Sequence, residues 1–280
     1  VELNKKETGM KMNFIKTSPA QNMTILVRDI LDRSMHWTVA QKLMRYDSIH
    51  AEQVGFIESA ADTAASARLQ MMGGEFCGNA TMSLAAVVAK DTGLNEGETL
   101  ETMLEVSGAD SILKCEVSAQ GDVFVCKAEM PPPKEIAKIS FTVSGSPVEA
   151  DIVHLPGISH IIVDAAQLSD QKAFAEEAIA ELSEKIKGEA FGIMFFDEAK
   201  QFMVPVVYVR DIGAPIWERS CASGTAAVGT CMASRDCKDT ELEVGQPGGA
   251  ITVIAKNQGS GTRLWIKTGV RIVAEGVAYV

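Results

Sequence analysis

The sequence predicts an α/β protein of two similar, strand-rich halves with one buried helix in each. Three observations carry this reading. Short alternating or β-branched runs recur through both halves of the chain. Two segments, EFCGNATMSLAA (75–86) and RSCASGTAAVGT (219–230), begin alike with a cysteine, small residues and a threonine four positions on. Between them EMPPPKE (129–135) breaks the chain, because three consecutive prolines suit neither a helix interior nor a central strand.

In chain order, strands are expected at MTILV (23–27), TMLEVSG (102–108), SILKCEV (111–117) and DVFVCKAEM (122–130) in the first half. In the second they are expected at FMVPVVYV (202–209), GAITVIA (249–255) and TRLWIKT (262–268). Helical periodicity covers SMHWTVAQKLMRY (34–46), which opens on a serine cap, and LSDQKAFAEEAIAELSEKIKG (168–188), which ends on glycine. The cysteine-led segments, at about 78–90 and 222–235, are small or apolar around most of their circumference, so they read as interior helices. Their spacing of half the chain points to an internal duplication with pseudo-twofold symmetry. The expected division is 11–131, carrying Cys77, and 132–280, carrying Cys221, with the C-terminal strand a candidate to return to the first half.

The bulk properties set limits on function. A chain of 280 residues with 46% hydrophobic and 22% charged residues has ample material for a core. A net charge of −11 argues against nucleic acid and anionic membrane surfaces as partners, and no apolar run is long enough to span a bilayer. The opening VELNKKETGMKMNF lacks the apolar block of a signal peptide, and Met10 and Met12 are candidate starts. The six cysteines form no CxxC pair, which argues against a zinc site, and no secretion signal favours disulfides. A cytoplasmic protein with reduced thiols is expected. No cofactor is expected either: no GxGxxG follows a strand, and neither Lys90 nor Lys114 has a context marking a Schiff-base lysine.

A thiol at a helix start faces unpaired N–H groups and the positive end of the dipole, which is expected to lower its pKa from about 8.5. The same N–H groups hold carboxylates. Two such starts converging on one amino acid would form a two-base device, one sulfur removing the α-proton and the other returning a proton to the opposite face. The amides would stabilise the enolate-like intermediate once water is excluded. Small residues after each cysteine (Gly78, Asn79, Ala222, Ser223, Gly224, Thr225) permit close backbone approach. A single buried cysteine is more often a packing residue. Cys115, Cys126 and Cys231 are assigned to packing and Cys237 to a loop, while the paired context singles out Cys77 and Cys221.

These residues resemble the diaminopimelate epimerase superfamily of cofactor-independent racemases, and more specifically the histidine racemases that supply D-histidine for opine-type metallophores. The resemblance runs over SPAQNMTILV (18–27), EQVGFIES (52–59), EFCGNATMS (75–83), FDEAKQF (196–202), IWERSCASGTA (216–226) and QPGG (246–249). It implies two α/β halves, each a curved, mostly antiparallel sheet wrapped around one central helix, with the active site in the cleft between them. It also implies a homodimer, a histidine substrate and no cofactor. The catalytic thiols fall on Cys77 and Cys221, and the carboxylate-binding amides on Gly78, Asn79, Ala222 and Ser223, extending toward Thr225. Asn22 matches an asparagine that contacts the amino-acid end of the substrate, and Glu218 matches the acidic partner of its ammonium. Taken as plain structure, Asn22 would be a turn residue and Glu218 a strand-end carboxylate.

Departures from the epimerase pattern bear on substrate. Where diaminopimelate epimerases read a distal amino-acid group with asparagines, the nearest positions here hold Arg68, Ile158 and Met194. Position 222 is alanine where glycine is usual. Glu52, placed where phenazine-type isomerases keep a functional glutamate, is the candidate to accept an imidazole N–H, and as plain structure it would flank the strand VGFIE. His50 reads as a surface or packing residue and His160 as structural; Phe56 and Trp217 are candidate pocket walls for which core packing is the favoured role. The alternatives are a diaminopimelate epimerase or other amino-acid racemase, a phenazine-type isomerase acting through Glu52, and a thiol-based redox or metal-binding protein.

Overall fold

A computed structural model of the protein describes residues 9–280 apart from 167, 259 and 260, and apart from the side chain of residue 258. The first part of the chain runs β1 (Lys11–Pro19), β2 (Thr24–Val27), α1 (His36–Met44), β3 (Gln53–Glu58), β4 (Ala67–Met71), α2 (Gly78–Asp91), β5 (Thr99–Val106), β6 (Leu113–Gln120) and β7 (Val123–Met130). The prolines at 131–133 follow as an irregular crossing. Then come β8 (Glu135–Val143), β9 (Ser146–Leu155), β10 (Ile158–Asp164), α3 (Gln171–Lys185), β11 (Ala190–Asp197), β12 (Phe202–Val209), β13 (Ala214–Trp217), α4 (Ala222–Asp236), β14 (Thr240–Gln246), β15 (Gly249–Gln258) and β16 (Gly261–Tyr279). The mixed α/β class expected from the sequence is the class observed.

The same series of joints occurs twice. The pair β2–β3 is parallel and bridged by α1, and the pair β4–β5 is parallel and bridged by α2. In the second part β10–β11 is parallel across α3, and β12–β14 is parallel across α4. The remaining pairings are antiparallel. This is what short connections dictate, since a parallel joint needs a crossover long enough to hold a helix.

The two parts differ in closure. Strand β16 has 19 residues, long enough to serve three neighbours: its start pairs with β15, its middle with β7, and its end with β1. The last pairing closes β1 to β7 and β16 into an eight-stranded barrel. Among the described residues the second run ends at β8, which pairs with β9 alone, so its sheet curves around α4 without closing. The resemblance implied two curved sheets of one kind; the length of β16 makes them unequal.

The composition of α2 follows from its place. Eleven of its fourteen residues are buried, from Gly78 to Ala89, which puts it inside the barrel. Eight strands leave an interior that side chains alone normally fill, so a helix there must be mostly small: seven of the buried residues are Gly, Ala, Ser or Thr, with Met82, Leu84 and Val87 among the rest. Helix α4 is built alike and packs on β9, β10, β11, β14, β15 and β16. Helices α1 and α3 are amphipathic and cover the outer faces of β3 and β8. The sequence reading passes over β1, β4, β8, β9, β11, β13 and β14. Strand β11 (AFGIMFFD) shows no alternation because both faces are covered, by the α3 core on one side and the α4 core on the other.

The starts of α2 and α4 meet. A Cβ placed on Gly78 would lie 2.7 Å from Ile266 Cδ1, 2.9 Å from Ala222 Cβ and 3.1 Å from Met130 Sδ. Glycine is therefore required at 78, and the alanine at 222 fills the room it leaves. Around this contact Asn22 Nδ2 donates to the Ser220 carbonyl at 3.0 Å, Arg219 Nε to Gln21 Oε1 at 2.7 Å, and the Gly248 N–H to the Arg219 carbonyl at 2.7 Å. The left-handed turn at Ala20 and Gln21 (φ 44° and 61°) lies against Gly248, where a side chain would strike the Ala20 carbonyl.

Gly78→Ala should therefore lower stability by about 1–3 kcal/mol through overpacking, measured by urea unfolding, and adding Ala222→Gly should restore part of the loss. An unchanged unfolding midpoint in the single variant would show that the helix starts have slack.

Candidate active site

The meeting of the two helix starts opens onto a cavity of about 600 Å³, lined by residues from both parts of the chain. Of the site residues expected from the sequence, Asn22, Glu52, Cys77, Gly78, Asn79, Glu218, Cys221, Ala222 and Ser223 all lie on its wall. Positions up to 201 residues apart in the chain thus share one space, because β2, β3 and α2 bring the first group there and β13 and α4 the second.

Each cysteine is the cap of its helix, and the two caps are nearly superimposable. Cys77 has φ −134°, ψ 112° and accepts from the Ala80 N–H; Cys221 has φ −134°, ψ 110° and accepts from the Gly224 N–H. Both N–H···S distances are 3.4 Å. The threonine four residues on explains the shared sequence pattern: Thr81 Oγ1 donates to the Cys77 carbonyl at 2.8 Å, and Thr225 Oγ1 to the Cys221 carbonyl at 2.7 Å. Gln246 of QPGG fixes the second start, accepting from the Cys221 N–H at 2.7 Å and donating to Thr225 Oγ1 at 2.9 Å. Among the described residues the N–H groups of Gly78, Asn79, Ala222 and Ser223 have no protein acceptor, as the first turn of a helix requires. Four free amides and two dipole ends make this wall suited to an anion such as a carboxylate.

The expected acidity of the thiols is not what the site produces. Burial pushes the Cys77 thiol up to about 12 and the Cys221 thiol well above its ordinary range. Desolvation is the largest cause for both; carboxylates add to it, Glu75 and Glu218 at Cys77 and Glu218 at Cys221. A single long N–H contact per sulfur does not offset this. The thiols are therefore weak acids whose thiolates would be strong bases.

Three carboxyl groups give the rest of the cavity its character. Burial raises Glu218 to about 7, with Glu52 contributing repulsion, and Glu218 Oε2 is buried without a partner. Glu52 and Glu75 are also raised, desolvation being the first cause for each. A cavity holding three destabilised carboxylates favours a cationic group. Trp37, Met44, Met72, Ile158, Val207 and Ile216 supply its apolar wall.

Other expected residues lie elsewhere. Arg68 pairs with Glu58 at 3.4 Å and Glu105 at 3.2 Å, and Met194 is buried under Gly224, so of the three positions aligned with distal-group readers only Ile158 reaches the cavity. His50 is exposed beside Tyr46 and Phe56 stacks on His36 in the core; Trp217 stacks on Phe195, off the cavity wall. His160 is fully buried and held neutral, its pKa lowered to about 3 by desolvation, with Nε2 2.8 Å from Ser223 Oγ. The sequence reading misses Gln53, Glu75 and Trp37. Gln53 sits beside Glu52 inside a quoted motif, yet nothing local marks its side chain as reaching a cysteine 24 residues on. Among the described residues no group of His, Cys, Asp and Glu is arranged to hold a metal ion, and no helix is long and apolar enough to cross a membrane.

Comparisons with known proteins bear on the family and the fold. The family model described as the histidine racemase CntK N-terminal domain matches residues 11–279. A histidine racemase of Fusobacterium nucleatum subsp. nucleatum is 35% identical over 278 residues, covering 96% of this chain and 97% of that protein. One of Staphylococcus aureus is 33% identical over 275 residues, covering 96% and 98%. Among solved structures, a hydroxyproline epimerase from Agrobacterium vitis with bound trans-4-hydroxy-L-proline is similar with a TM-score of 0.72 at 14% identity, covering 96% of this chain and 93% of that one. A PhzF-family phenazine biosynthesis protein from Bacillus anthracis has a TM-score of 0.65 at 14% identity, covering 97% and 100%. The structural likenesses establish the fold, and the sequence matches establish more: the chain belongs to the histidine racemase family.

Proposed function

We propose that this protein is a cofactor-independent amino-acid racemase that interconverts L- and D-histidine by proton transfer between Cys77 and Cys221. The observation that carries this reading is the pair of near-identical cysteine caps on one cavity, with four free amides between them. Membership of the histidine racemase family supports the substrate.

In this reading the substrate carboxylate sits on the amides of Gly78, Asn79, Ala222 and Ser223, and the ammonium lies against Glu218. The thiolate of one cysteine takes the α-proton, and the electron pair moves into the carboxylate as an enolate-like dianion held by those amides. The other thiol then gives its proton to the opposite face of the α-carbon. The configuration inverts and the two sulfurs exchange protonation states. Burial of the thiols serves this chemistry, since a desolvated thiolate is a stronger base toward a very weak carbon acid. An ammonium against Glu218 cancels the charge that holds the thiols protonated. Glu52 accepts from an imidazole N–H, and Trp37, Met44 and Met72 supply an apolar wall for the ring.

Ile158 and the surrounding apolar wall offer no partners for a distal ammonium and carboxylate, which favours histidine over diaminopimelate. With the resemblance stated above, the reading extends to a cytoplasmic homodimer supplying D-histidine for metallophore synthesis, and to an epimerase-type arrangement of halves 11–131 and 132–280 about the cleft.

Incubation with L-histidine in deuterated water should yield D-histidine carrying deuterium at Cα, with no exchange into diaminopimelate or proline. Exchange into those amino acids and not into histidine would reject the substrate assignment. Cys77→Ser and Cys221→Ser should each lower racemisation by at least about 10²-fold with unfolding curves unchanged; a variant retaining near-native rates would remove the two-base mechanism.

The pH dependence follows from Glu218, whose carboxyl is raised to about 7. Its charged form exists above that value and is lost as pH falls through it, so KM for histidine should rise on acidification through about 7. Glu218→Gln should raise KM at neutral pH and abolish that limb, and a limb surviving in the variant would belong to another group. Glu52→Gln should raise KM for histidine by about tenfold, the loss of one charged hydrogen bond. An unaltered KM would end its assignment as reader of the imidazole.

A further inference from the structure

The two thiols occupy matching caps, but their second contacts differ in kind. Cys77 Sγ lies 2.8 Å from Gln53 Oε1. The orientation of that amide is dictated from outside the site. The Ser220 carbonyl has only lone pairs to offer, so Asn22 must turn its Nδ2 toward it, at 3.0 Å. Asn22 Oδ1 then faces Gln53, which must present Nε2 to it, at 2.6 Å. The same Nε2 donates to Thr24 Oγ1 at 2.9 Å, while the Thr24 hydroxyl proton is directed to the Asn22 carbonyl at 3.3 Å. Each link leaves the next a single orientation, and the last leaves Gln53 Oε1 aimed at sulfur. A carboxamide oxygen accepts and does not donate, so it is satisfied by a thiol and repels a thiolate. Asn22, 2% exposed, thus has both ends of its amide engaged by protein.

Cys221 has a different pair of neighbours, one of them the Glu218 carboxylate, which accepts from its thiol. Its neighbour Ser223 Oγ, at 3.5 Å, is a hydroxyl, able to accept from a thiol or to turn its proton toward a thiolate. Behind it stands neutral His160, whose Nε2 is 2.8 Å from the same hydroxyl and whose Nδ1 is buried without a partner. A proton on Nε2 spares the ring an orphaned N–H and frees the Ser223 proton to face sulfur.

We infer that Gln53 is a positioning residue that holds Cys77 in its thiol form, its amide kept in one orientation by Asn22 and the Ser220 carbonyl. For Cys77 to act as the base, the Gln53 contact must be broken or the whole chain of amides reversed against the Ser220 carbonyl. At Cys221 the Ser223 hydroxyl can serve thiol or thiolate by rotation, while Glu218 favours the thiol. The charged groups facing Cys77 are Glu75, two residues before it, and Glu218 from the other part of the chain, and both favour the thiol; the Gln53 carboxamide oxygen is a separate, directional contact.

The inference rests on the two-thiol reading of the site, but its test does not need turnover. In protein labelled with ¹³Cβ-cysteine, the Cys77 resonance, assigned by its loss in Cys77→Ser, reports protonation directly as pH is raised. Gln53→Met, of similar size but without the acceptor, should move the Cys77 midpoint down by about one pH unit. Gln53→Glu, which keeps an acceptor and adds a charge, should move it up. The Cys115 and Cys126 resonances, from fully buried thiols, report whether each variant is folded. Midpoints unmoved, or moved the same way in both variants, would overturn the role of Gln53, and if only one variant folds its shift alone decides. Wild-type protein that fails to racemise histidine would reject the function instead and leave the Cys77 titration standing.

Discussion

The contact between Gly78 and Ala222 sets the terms for the rest of the molecule. Two helices that start against each other need a glycine on one side and no more than a methyl group on the other. For their starts to meet, both helices must be buried, which demands the small-residue surfaces that make α2 and α4 look alike. The sheets must then curve around them, and strand β16 must run long enough to join both sheets and close one. Pro19 to Asn22, Arg219, Ser220 and the Gln246–Gly248 turn are bound together around the contact, so the approach is held from outside the cavity as well as within it.

Burial on this scale changes what a helix start does to a cysteine. On a surface, the dipole and the free N–H groups would lower the thiol pKa. Here the loss of water outweighs one 3.4 Å N–H contact, and nearby carboxylates add repulsion, so both thiols sit high. The amides of the first turns are left without a protein acceptor among the described residues. This division of labour, weakly acidic sulfurs beside an anion-binding backbone, suits a reaction whose difficulty is the acidity of carbon.

A duplicated scaffold need not yield equivalent sites. The caps repeat to within two degrees in ψ, because they are backbone features set by the Cys-x-x-x-Thr pattern. The groups next to each sulfur follow no repeat: a glutamine from β3 in one case, and in the other a serine of α4 itself, backed by a histidine from β10. The two sides of the cavity are therefore chemically different.

Much of this was legible in the sequence because it is local. The buried helices announced themselves by small or apolar residues around most of their circumference, the catalytic candidates by their repeated spacing, and the midpoint by three prolines. Every strand that read as alternating or β-branched is present near its expected place. What the sequence does not carry is whatever depends on the path of a distant strand: closure of the barrel by β16, the two-sided burial that erases alternation in β11, and the placing of Arg68 in an ion pair and Met194 in the core. The residue types at the site were determined by the sequence alone, since caps and their amides follow from neighbours three or four positions away. The ionisation of the thiols and of Glu218, and the turn of the Gln53 amide, were decided only by the tertiary structure, because desolvation and hydrogen-bond direction belong to what surrounds a group in space.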